Sequence, residues 1–278
     1  MTEAEAVVYR GRLFLVGTPI GNLEDVTLRA LRVLREVPLI ACEDTRHTRI
    51  LLDRYDIDRP LVSYYEHNER ARVAPLLAHL QDQDLALVSE AGMPGISDPG
   101  YDLIRAAIAA GVEVVPIPGP SAPITALAAS GLPTDQFIYL GFLPRRPADR
   151  RKLFRSISAE GRTLIAFESP HRLVAALDDV EAVLGNRPVV VARELTKIHE
   201  EFVRGPVGEV RQRFHASPAR GEVTLLIGGS EAEPPAPDVA GRIRELQAEE
   251  LSNAEIASRV ARECGVPRRE VYRFLIGG

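Results

Sequence analysis

The chain has 278 residues, which is enough for two ordinary domains, and 45% of them are hydrophobic, which is enough to fill two cores. No apolar run approaches the roughly 20 residues needed to cross a bilayer, and the acidic N-terminus MTEAEAVVYR does not resemble a signal peptide. We therefore expect a cytoplasmic protein. The net charge of -5 argues against a protein that is basic over its whole surface.

Cysteine usage gives no sign of a disulfide or metal framework. The chain has two cysteines, Cys42 and Cys264, and neither has a CxxC or His-x-x-His partner. We therefore expect no disulfide and no metal site.

Residues 1–118 alternate two hydrophobic periods, which is typical of an α/β domain. Apolar runs that indicate buried strands alternate with segments such as VTLRALRVLREV, which places Leu28, Leu31 and Leu34 on one helical face. This alternation with short links favours a parallel sheet with helices on both faces. The predicted strands are 11–17, 39–44, 85–92 and 112–119.

Residues 119–229 show a less regular pattern, which predicts a second α/β domain with a mixed sheet. Helices are expected from about His171 to Leu184 and near Val207 to Phe214. The predicted strands are QFIYLGFLP, RTLIAFES, PVVVAREL and GEVTLLIGG.

A proline-rich acidic linker at 230–238 leads into a short helical tail at 239–278. In the tail, a helix, a turn at Gly265 and a second helix opened by Pro267 have the spacing of a helix-turn-helix. Cations on the second helix suit nucleic-acid binding, although such helical pairs are also common as plain packing units. These cations are Arg268, Arg269 and Arg273.

Two glycine-rich stretches follow predicted strands, GTPIGN at 17–22 and SEAGMPGISDPG at 89–100. Ligands bind at such strand ends in open parallel sheets, and glycines let the backbone approach them closely. The second stretch therefore predicts a preformed loop around a small molecule, although Asp98 also suits the cap of a following helix. GTPIGN is not G-x-G-x-x-G, and neither a P-loop nor a G-x-S-x-G elbow occurs.

Seven motifs occur in one order along the chain: LVGTPIGNLEDVTLRAL, ACEDTRHT, SEAGMPGISDPG, PGPSA, GFLP, ESPHR and RELTK. This series resembles the tetrapyrrole methylase superfamily, and within it the branch that acts on RNA. The branch that methylates tetrapyrroles usually has G-x-G-P-G-D in the first loop, where this chain has Asn22 in the aspartate's place.

The resemblance implies two α/β domains with a cleft between them that binds S-adenosylmethionine, and a homodimer. It also implies 2'-O-methylation of a cytidine ribose in the decoding region of 16S ribosomal RNA of the small ribosomal subunit. The cofactor-binding residues that it implies are Gly17, Pro19, Gly21, Gly92, Met93, Pro94, Ile96, Ser97, Asp98, Ser121, Ala122, Phe167, Glu168, Glu222 and Thr224.

A ribose hydroxyl is weakly acidic, so a nearby base should help the reaction. The catalytic candidates are Glu43, Asp44, Glu168, His171 and Lys197. Further candidates for the base are Glu66, His67 and Glu200. Spacing does not choose among them. These residues also have structural interpretations. One is a salt-bridged turn formed by Glu43, Asp44 and Arg46. The other makes His171 an ordinary first-turn residue of a helix that Ser169 caps.

RNA binding needs cations for the phosphates. The segment PRRPADRRKLFR at 144–155 supplies them directly after GFLP, and its alternative interpretation is a solvated basic helix start. Its candidate RNA-binding residues are Arg145, Arg146, Arg150, Arg151 and Lys152.

Two other functions are compatible with part of the pattern. One is methylation of a tetrapyrrole, which the first-loop departure and the basic segment disfavour. The other is a non-catalytic nucleic-acid-binding regulator whose α/β body only senses a ligand.

Overall fold

The computed structural model describes residues 9–230, 238–249 and 251–276. The chain forms two compact units, Met1–Gly229 and Ser230–Gly278. The first unit holds two five-stranded sheets, one from each of the two predicted α/β segments. The domain limit at residue 118 stays a prediction, and most of the predicted linker, 231–237, lies outside the described residues.

The first sheet is entirely parallel, as the alternating periods predicted, with strand order β3-β2-β4-β1-β5. Its strands are β1 (Arg12–Val16), β2 (Leu39–Cys42), β3 (Leu61–Ser63), β4 (Leu85–Val88) and β5 (Glu113–Ile117). The helices that follow them are α1 (Leu28–Glu36), α2 (Thr45–Arg54), α3 (Glu69–His79), α4 (Tyr101–Ala109) and α5 (Ala122–Ser130).

The connections that follow the neighbouring strands β1 and β4 run in opposite directions across this sheet. From β1 the chain runs through α1 to β2, whereas from β4 it runs through α4 to β5 on the other side of β1. Helix α1 packs in one hydrophobic cluster and α4 in a second cluster on the opposite face. The loops after β1 and β4 therefore diverge at the carboxyl edge, which is where open α/β sheets form ligand crevices.

The second sheet is mixed, as predicted, because β6 and β7 pair in parallel and the other pairs are antiparallel. Its order is β6-β7-β10-β8-β9. The strands are β6 (Phe137–Phe142), β7 (Thr163–Glu168), β8 (Pro188–Arg193), β9 (Glu201–Pro206) and β10 (Val223–Ile227). Helices α6 (Pro147–Ser156), α7 (Leu173–Leu184) and α8 (Val207–Ala216) cover one face, while α5 packs on the other.

Several local expectations were wrong. Strands β3 and β9 were not predicted; β3 has only three residues, and β9 contains the charged residues Glu201 and Arg204. Leu28 is 86% exposed because it is the first residue of α1, so Leu31 and Leu34 reach the core without it. Asp98 does not cap α4, whose N-cap is Gly100.

The second unit contains three helices in its described residues. These are α9 (Val239–Gln247), α10 (Asn253–Cys264) and α11 (Arg268–Ile276). Ser252 and Glu255 form a reciprocal capping box at the start of α10, and Gly265 ends it in the left-handed conformation. The helix, turn and helix order predicted from the sequence is therefore present.

The predicted RNA contact at Arg150 is wrong, because this side chain lies inside the protein. Its exposure is 2%, and its Nη2 atom lies 2.6 Å from Asp179 Oδ2. Nη2 also donates to the carbonyl oxygen of Ala175 at 3.2 Å. Arg150 therefore ties α6 to α7, and its guanidinium is not available to a phosphate.

We expect Arg150→Ala to lower the free energy of unfolding by about 3 kcal/mol, because it leaves the Asp179 carboxylate buried without its main partner. Lys152→Ala, at an exposed position of the same helix, should change it by less than about 0.5 kcal/mol. Urea unfolding measures both. Equal losses for the two variants would contradict a structural role for Arg150.

Candidate functional site

A cavity of about 370 Å³ opens where the loops after β1, β4 and β5 meet the second sheet. This volume falls in the range of small-molecule sites. Its lining is largely apolar with a few polar groups, the usual composition of such sites. The lining residues are Ile20, Ala91, Gly92, Met93, Ile96, Asp98, Ser121, Ala122, Pro123, Tyr139, Phe142, Phe167, Glu168, Ser169, Pro170, Leu195, Gly221, Glu222, Val223 and Thr224.

Backbone contacts fix the loops on the first-sheet side. The Thr18 amide donates to the Gly92 carbonyl at 2.9 Å, and the Gly92 amide donates back to Thr18 at 3.0 Å. Gly92 has a φ of 80°, which a glycine adopts without steric cost. A Cβ atom on Gly17 would lie 2.7 Å from both Met93 Sδ and Gly119 Cα, so a larger residue would force these loops apart.

The cavity is acidic. Asp98, Glu168 and Glu222 line it, and no lysine or arginine of the described residues does. Burial, and then the nearby carboxylates of Glu43 and Glu90, raise the pKa of Asp98 to about 7. The cavity therefore suits a ligand that carries positive charge, and it holds a carboxyl that exchanges a proton near neutral pH.

Glu168 is the most buried of these carboxyls, with 2% exposure. Its Oε1 atom accepts a hydrogen bond from the Ser169 amide at 2.7 Å and lies 2.5 Å from Arg172 Nη2. Its Oε2 atom is buried and has no hydrogen-bond partner among the described residues. A buried oxygen of this kind on a cavity wall favours a ligand that donates a hydrogen bond.

Three aromatic rings stand on the second-sheet wall. The ring centroids of Phe142 and Phe167 are 5.2 Å apart, and those of Tyr139 and Phe167 are 5.5 Å apart. The Tyr139 hydroxyl lies 2.7 Å from Ser97 Oγ, so one hydrogen bond joins this wall to the loop after β4. Ser97 has a φ of 61°, a conformation that is uncommon for a residue with a side chain.

Most of the predicted cofactor residues come together here, although this does not test their role. Gly92, Met93, Ile96, Asp98, Ser121, Ala122, Phe167, Glu168, Glu222 and Thr224 line the cavity. The others do not line it, and of these Gly17 packs behind Met93 and Gly21 packs against Lys197 and Leu195. The residues outside the lining are Gly17, Pro19, Gly21, Pro94 and Ser97.

The predicted catalytic residues are more scattered. Glu168 lines the cavity, and Glu43 lies close enough to Asp98 to shift its pKa. His171 is an exposed residue of a 3-10 turn, Pro170–Arg172, and Ser169 makes no side-chain cap there. Lys197 is paired with Glu194 at 3.0 Å and with Glu222 at 3.2 Å.

Asp44 has a structural role that the sequence allowed as the alternative. Its Oδ1 atom accepts from the Arg46 amide at 2.7 Å, and its Oδ2 atom lies 2.9 Å from Arg46 Nη2. These contacts lower the pKa of Asp44 to about 2 and cap α2. Asp44 does not line the cavity.

Apart from Arg150, the basic residues of the segment after β6 are exposed. Arg151 lies 3.4 Å from Asp179, whereas Arg145, Arg146 and Lys152 form no ion pair within the ranges that the structure describes. In the second unit, Arg268, Arg269 and Arg273 are exposed on α11.

Tyr139 and Phe142 were missed as lining residues. Both lie in QFIYLGFLP, and strict alternation along a strand puts residues three apart on opposite faces. The glycine of GFLP was the signal for a bulge that brings them together.

None of the helices described here is long and apolar enough to cross a membrane. Across the described ranges there is also no group of three or more histidine, cysteine, aspartate or glutamate side chains that could hold a metal ion. The expectation of a metal-free protein stays a prediction.

The fold is that of known methylases. The methyltransferase CobJ superposes with a TM-score of 0.59 and 20% identity, over 81% of this chain and 98% of its own. The Thermus thermophilus uroporphyrin-III C-methyl transferase, solved in complex with S-adenyl homocysteine, gives 0.54 and 21%, over 78% and 97%. The family model of tetrapyrrole (corrin/porphyrin) methylases matches residues 12–211.

Sequence relatives indicate to which branch of this family the chain belongs. The ribosomal RNA small subunit methyltransferase I of Escherichia coli O157:H7 is 47% identical over 96% of this chain and 95% of its own. Its counterpart from Halalkalibacterium halodurans is 45% identical over 95% and 94%, and that from Thermotoga maritima is 49% identical over 80% and 100%. The chain therefore belongs to the tetrapyrrole methylase family, in its branch of ribosomal RNA small subunit methyltransferase I proteins.

The raised pKa of Asp98 predicts how stability depends on pH. The folded protein keeps this proton up to about pH 7, whereas an unfolded aspartate loses it near pH 3.9. The folded state thus binds more protons in this window, and Asp98 lowers the free energy of unfolding as the pH rises through it. Solvent screening of the partly exposed carboxyl reduces the effect.

We expect Asp98→Asn to melt about 3 °C above the wild type above pH 7, with the difference vanishing toward about pH 4. Calorimetry over a pH series measures this. A constant difference at all pH values would contradict the raised pKa.

Proposed function

We propose that this protein is an S-adenosylmethionine-dependent methyltransferase that methylates the ribose 2'-hydroxyl of a cytidine in the decoding region of small-subunit ribosomal RNA. The observation that carries the proposal is the 45% to 47% identity, over nearly the whole chain, with proteins named ribosomal RNA small subunit methyltransferase I. The acidic cavity at the carboxyl edge of the parallel sheet supports it.

The residues of the cavity fit this cofactor. A sulfonium and an ammonium are positive, and three carboxyls line the cavity. Glu168 is paired with Arg172 and Glu222 with Lys197, whereas Asp98 forms no ion pair among the described residues. The buried Glu168 Oε2 atom still lacks a hydrogen-bond donor within the described chain, and an amine or a ribose hydroxyl supplies one. When bound, the cofactor supplies a methyl group that its sulfonium activates.

In this proposal the loop around Gly92 and Met93 holds the methionine part, and Phe167, Glu168 and Thr224 meet the adenosine. The chain's remaining work is to align the hydroxyl, exclude water and accept a proton. Asp98 is suited to accept it, because it lines the cavity and its pKa of about 7 lies near neutrality. It joins the candidates predicted from the sequence, which are Glu43, Asp44, Glu168, His171 and Lys197.

The partner in this proposal is the small ribosomal subunit, which binds to the exposed cations after β6 and on α11. The protein acts in the cytoplasm as a homodimer, with two α/β domains at 1–118 and 119–229. The helical second unit docks the substrate.

The proposal predicts transfer of a labelled methyl group from S-adenosylmethionine to small ribosomal subunits that lack the modification. After digestion to nucleosides, the label should appear in 2'-O-methylcytidine. A tetrapyrrole acceptor is the matched control and should receive none. Label on the tetrapyrrole alone would move the assignment to the other branch, and cofactor binding without transfer to either acceptor would favour the regulator.

Exposed arginines near the cavity should contribute through phosphate contacts. We expect Arg145→Gln with Arg146→Gln to weaken subunit binding and to reduce the slope of log affinity against log salt by about 1.4, as for two contacts to single-stranded RNA. Arg32→Gln, which removes an exposed arginine of α1 paired with Glu36, should leave the slope unchanged. Filter binding at several salt concentrations measures this, and equal slopes for all three proteins would exclude the contact.

A further inference from the structure

Phe142 is an aromatic side chain in an unusual place. It is 60% exposed although it belongs to a strand, and it lines the cavity. Deeper lining residues such as Glu168 and Thr224 are only 2% and 4% exposed. Phe142 therefore lies at the mouth of the cavity, outside the residues assigned above to the adenosine.

A bulge in β6 puts the ring there. Tyr139 pairs with Ile165 and Phe142 with Phe167, so β6 advances by three residues while β7 advances by two. Gly141 lies between them with a φ of 66°, which suits the extra residue of a bulge. The extra residue turns Phe142 onto the cavity face.

The packing of the neighbouring residues agrees with this geometry. Leu140 and Leu143 pack in the hydrophobic cluster on the opposite face of the sheet, under α6 and α7. With regular alternation, Phe142 would point to the same side as Leu140. The bulge thus exposes an aromatic ring that the core would otherwise bury.

A neighbouring aromatic residue supports the Phe142 ring. Phe167 packs against it with a centroid distance of 5.2 Å and an interplanar angle of 56°. The part of the Phe142 ring that Phe167 does not cover is exposed. An aromatic ring supported in this way binds another flat ring with little loss of conformational freedom.

The charges that follow suit a nucleotide. Arg145 and Arg146 come three and four residues after Phe142, are exposed, and form no ion pair within the described residues. A stacking ring followed by free cations is the arrangement that binds single-stranded nucleic acid. The cavity lining has no lysine or arginine among the described residues, so the cations for a phosphate lie outside it.

We propose that Phe142 stacks on the unpaired base of the acceptor nucleotide and so directs that nucleotide's ribose into the cavity. This inference rests on the proposed function and deepens it by naming the residue that positions the substrate. One stacked base adds to the phosphate contacts and is compatible with a chain of only 5% aromatic residues.

The test compares Phe142→Ala, Phe142→Leu and Phe142→Tyr in methyl transfer to unmodified small subunits, with calorimetric measurement of S-adenosylmethionine binding. Alanine and leucine should raise the KM for the subunit about 10-fold and change the cofactor Kd less than about 2-fold. Tyrosine should restore KM to within about 2-fold, because it keeps the π-face. The matched control is Phe137→Ala, at the start of β6, where the ring is 38% exposed and does not line the cavity.

The outcomes separate the two proposals. If the wild type transfers methyl groups and the alanine variant keeps its KM, or loses cofactor affinity instead, the stacking role is wrong and the proposed function stands. A leucine variant that behaves like the tyrosine variant also overturns stacking, because apolar contact then suffices. No transfer by the wild type overturns both.

Discussion

The two backbone hydrogen bonds between Thr18 and Gly92 hold together the loops that leave β1 and β4 in opposite directions. The cavity depends on this contact, because it fixes the loop that carries Met93 and Asp98. Gly17 and Gly119 approach too closely for a Cβ atom at either position, so the loop after β5 is held against the same point. Strand order and three glycines thus build the first-sheet side of the site before any ligand binds.

Charge is segregated around this frame. The cavity lining contains three carboxyls, while the exposed cations lie in the segment that follows Phe142 along the chain. A cofactor with a positive sulfonium and an RNA with negative phosphates need opposite surroundings, and the chain supplies both with different residues. The net charge of the whole chain, -5, does not show either of these local surfaces. Local placement, not total charge, therefore decides which partner each surface accepts.

The sequence predicted the parallel sheet, the mixed sheet and the helical tail because hydrophobic period depends on local residues alone. It also predicted that the loop at 89–100 surrounds a small molecule, and residues of that loop line the cavity. It failed where tertiary contacts decide. Arg150 resembles its basic neighbours in sequence, and only Asp179 on another helix makes it a buried residue. Likewise, no local pattern shows that Glu43 and Glu90 come close enough to Asp98 to raise its pKa.

The bulge in β6 is another feature that local pattern did not predict and that places a group in the cavity. One extra residue at Gly141 moves Phe142 from the core face to the cavity face, while Leu143 returns to the core beside Leu140. The strand therefore keeps its contribution to the hydrophobic core on one side and adds an exposed ring to the site on the other. In a regular strand, residue 142 would face the same side as Leu140, and the cavity would lose one of its three aromatic rings. Because the irregular geometry occurs where β6 lines the cavity, the bulge belongs to the site.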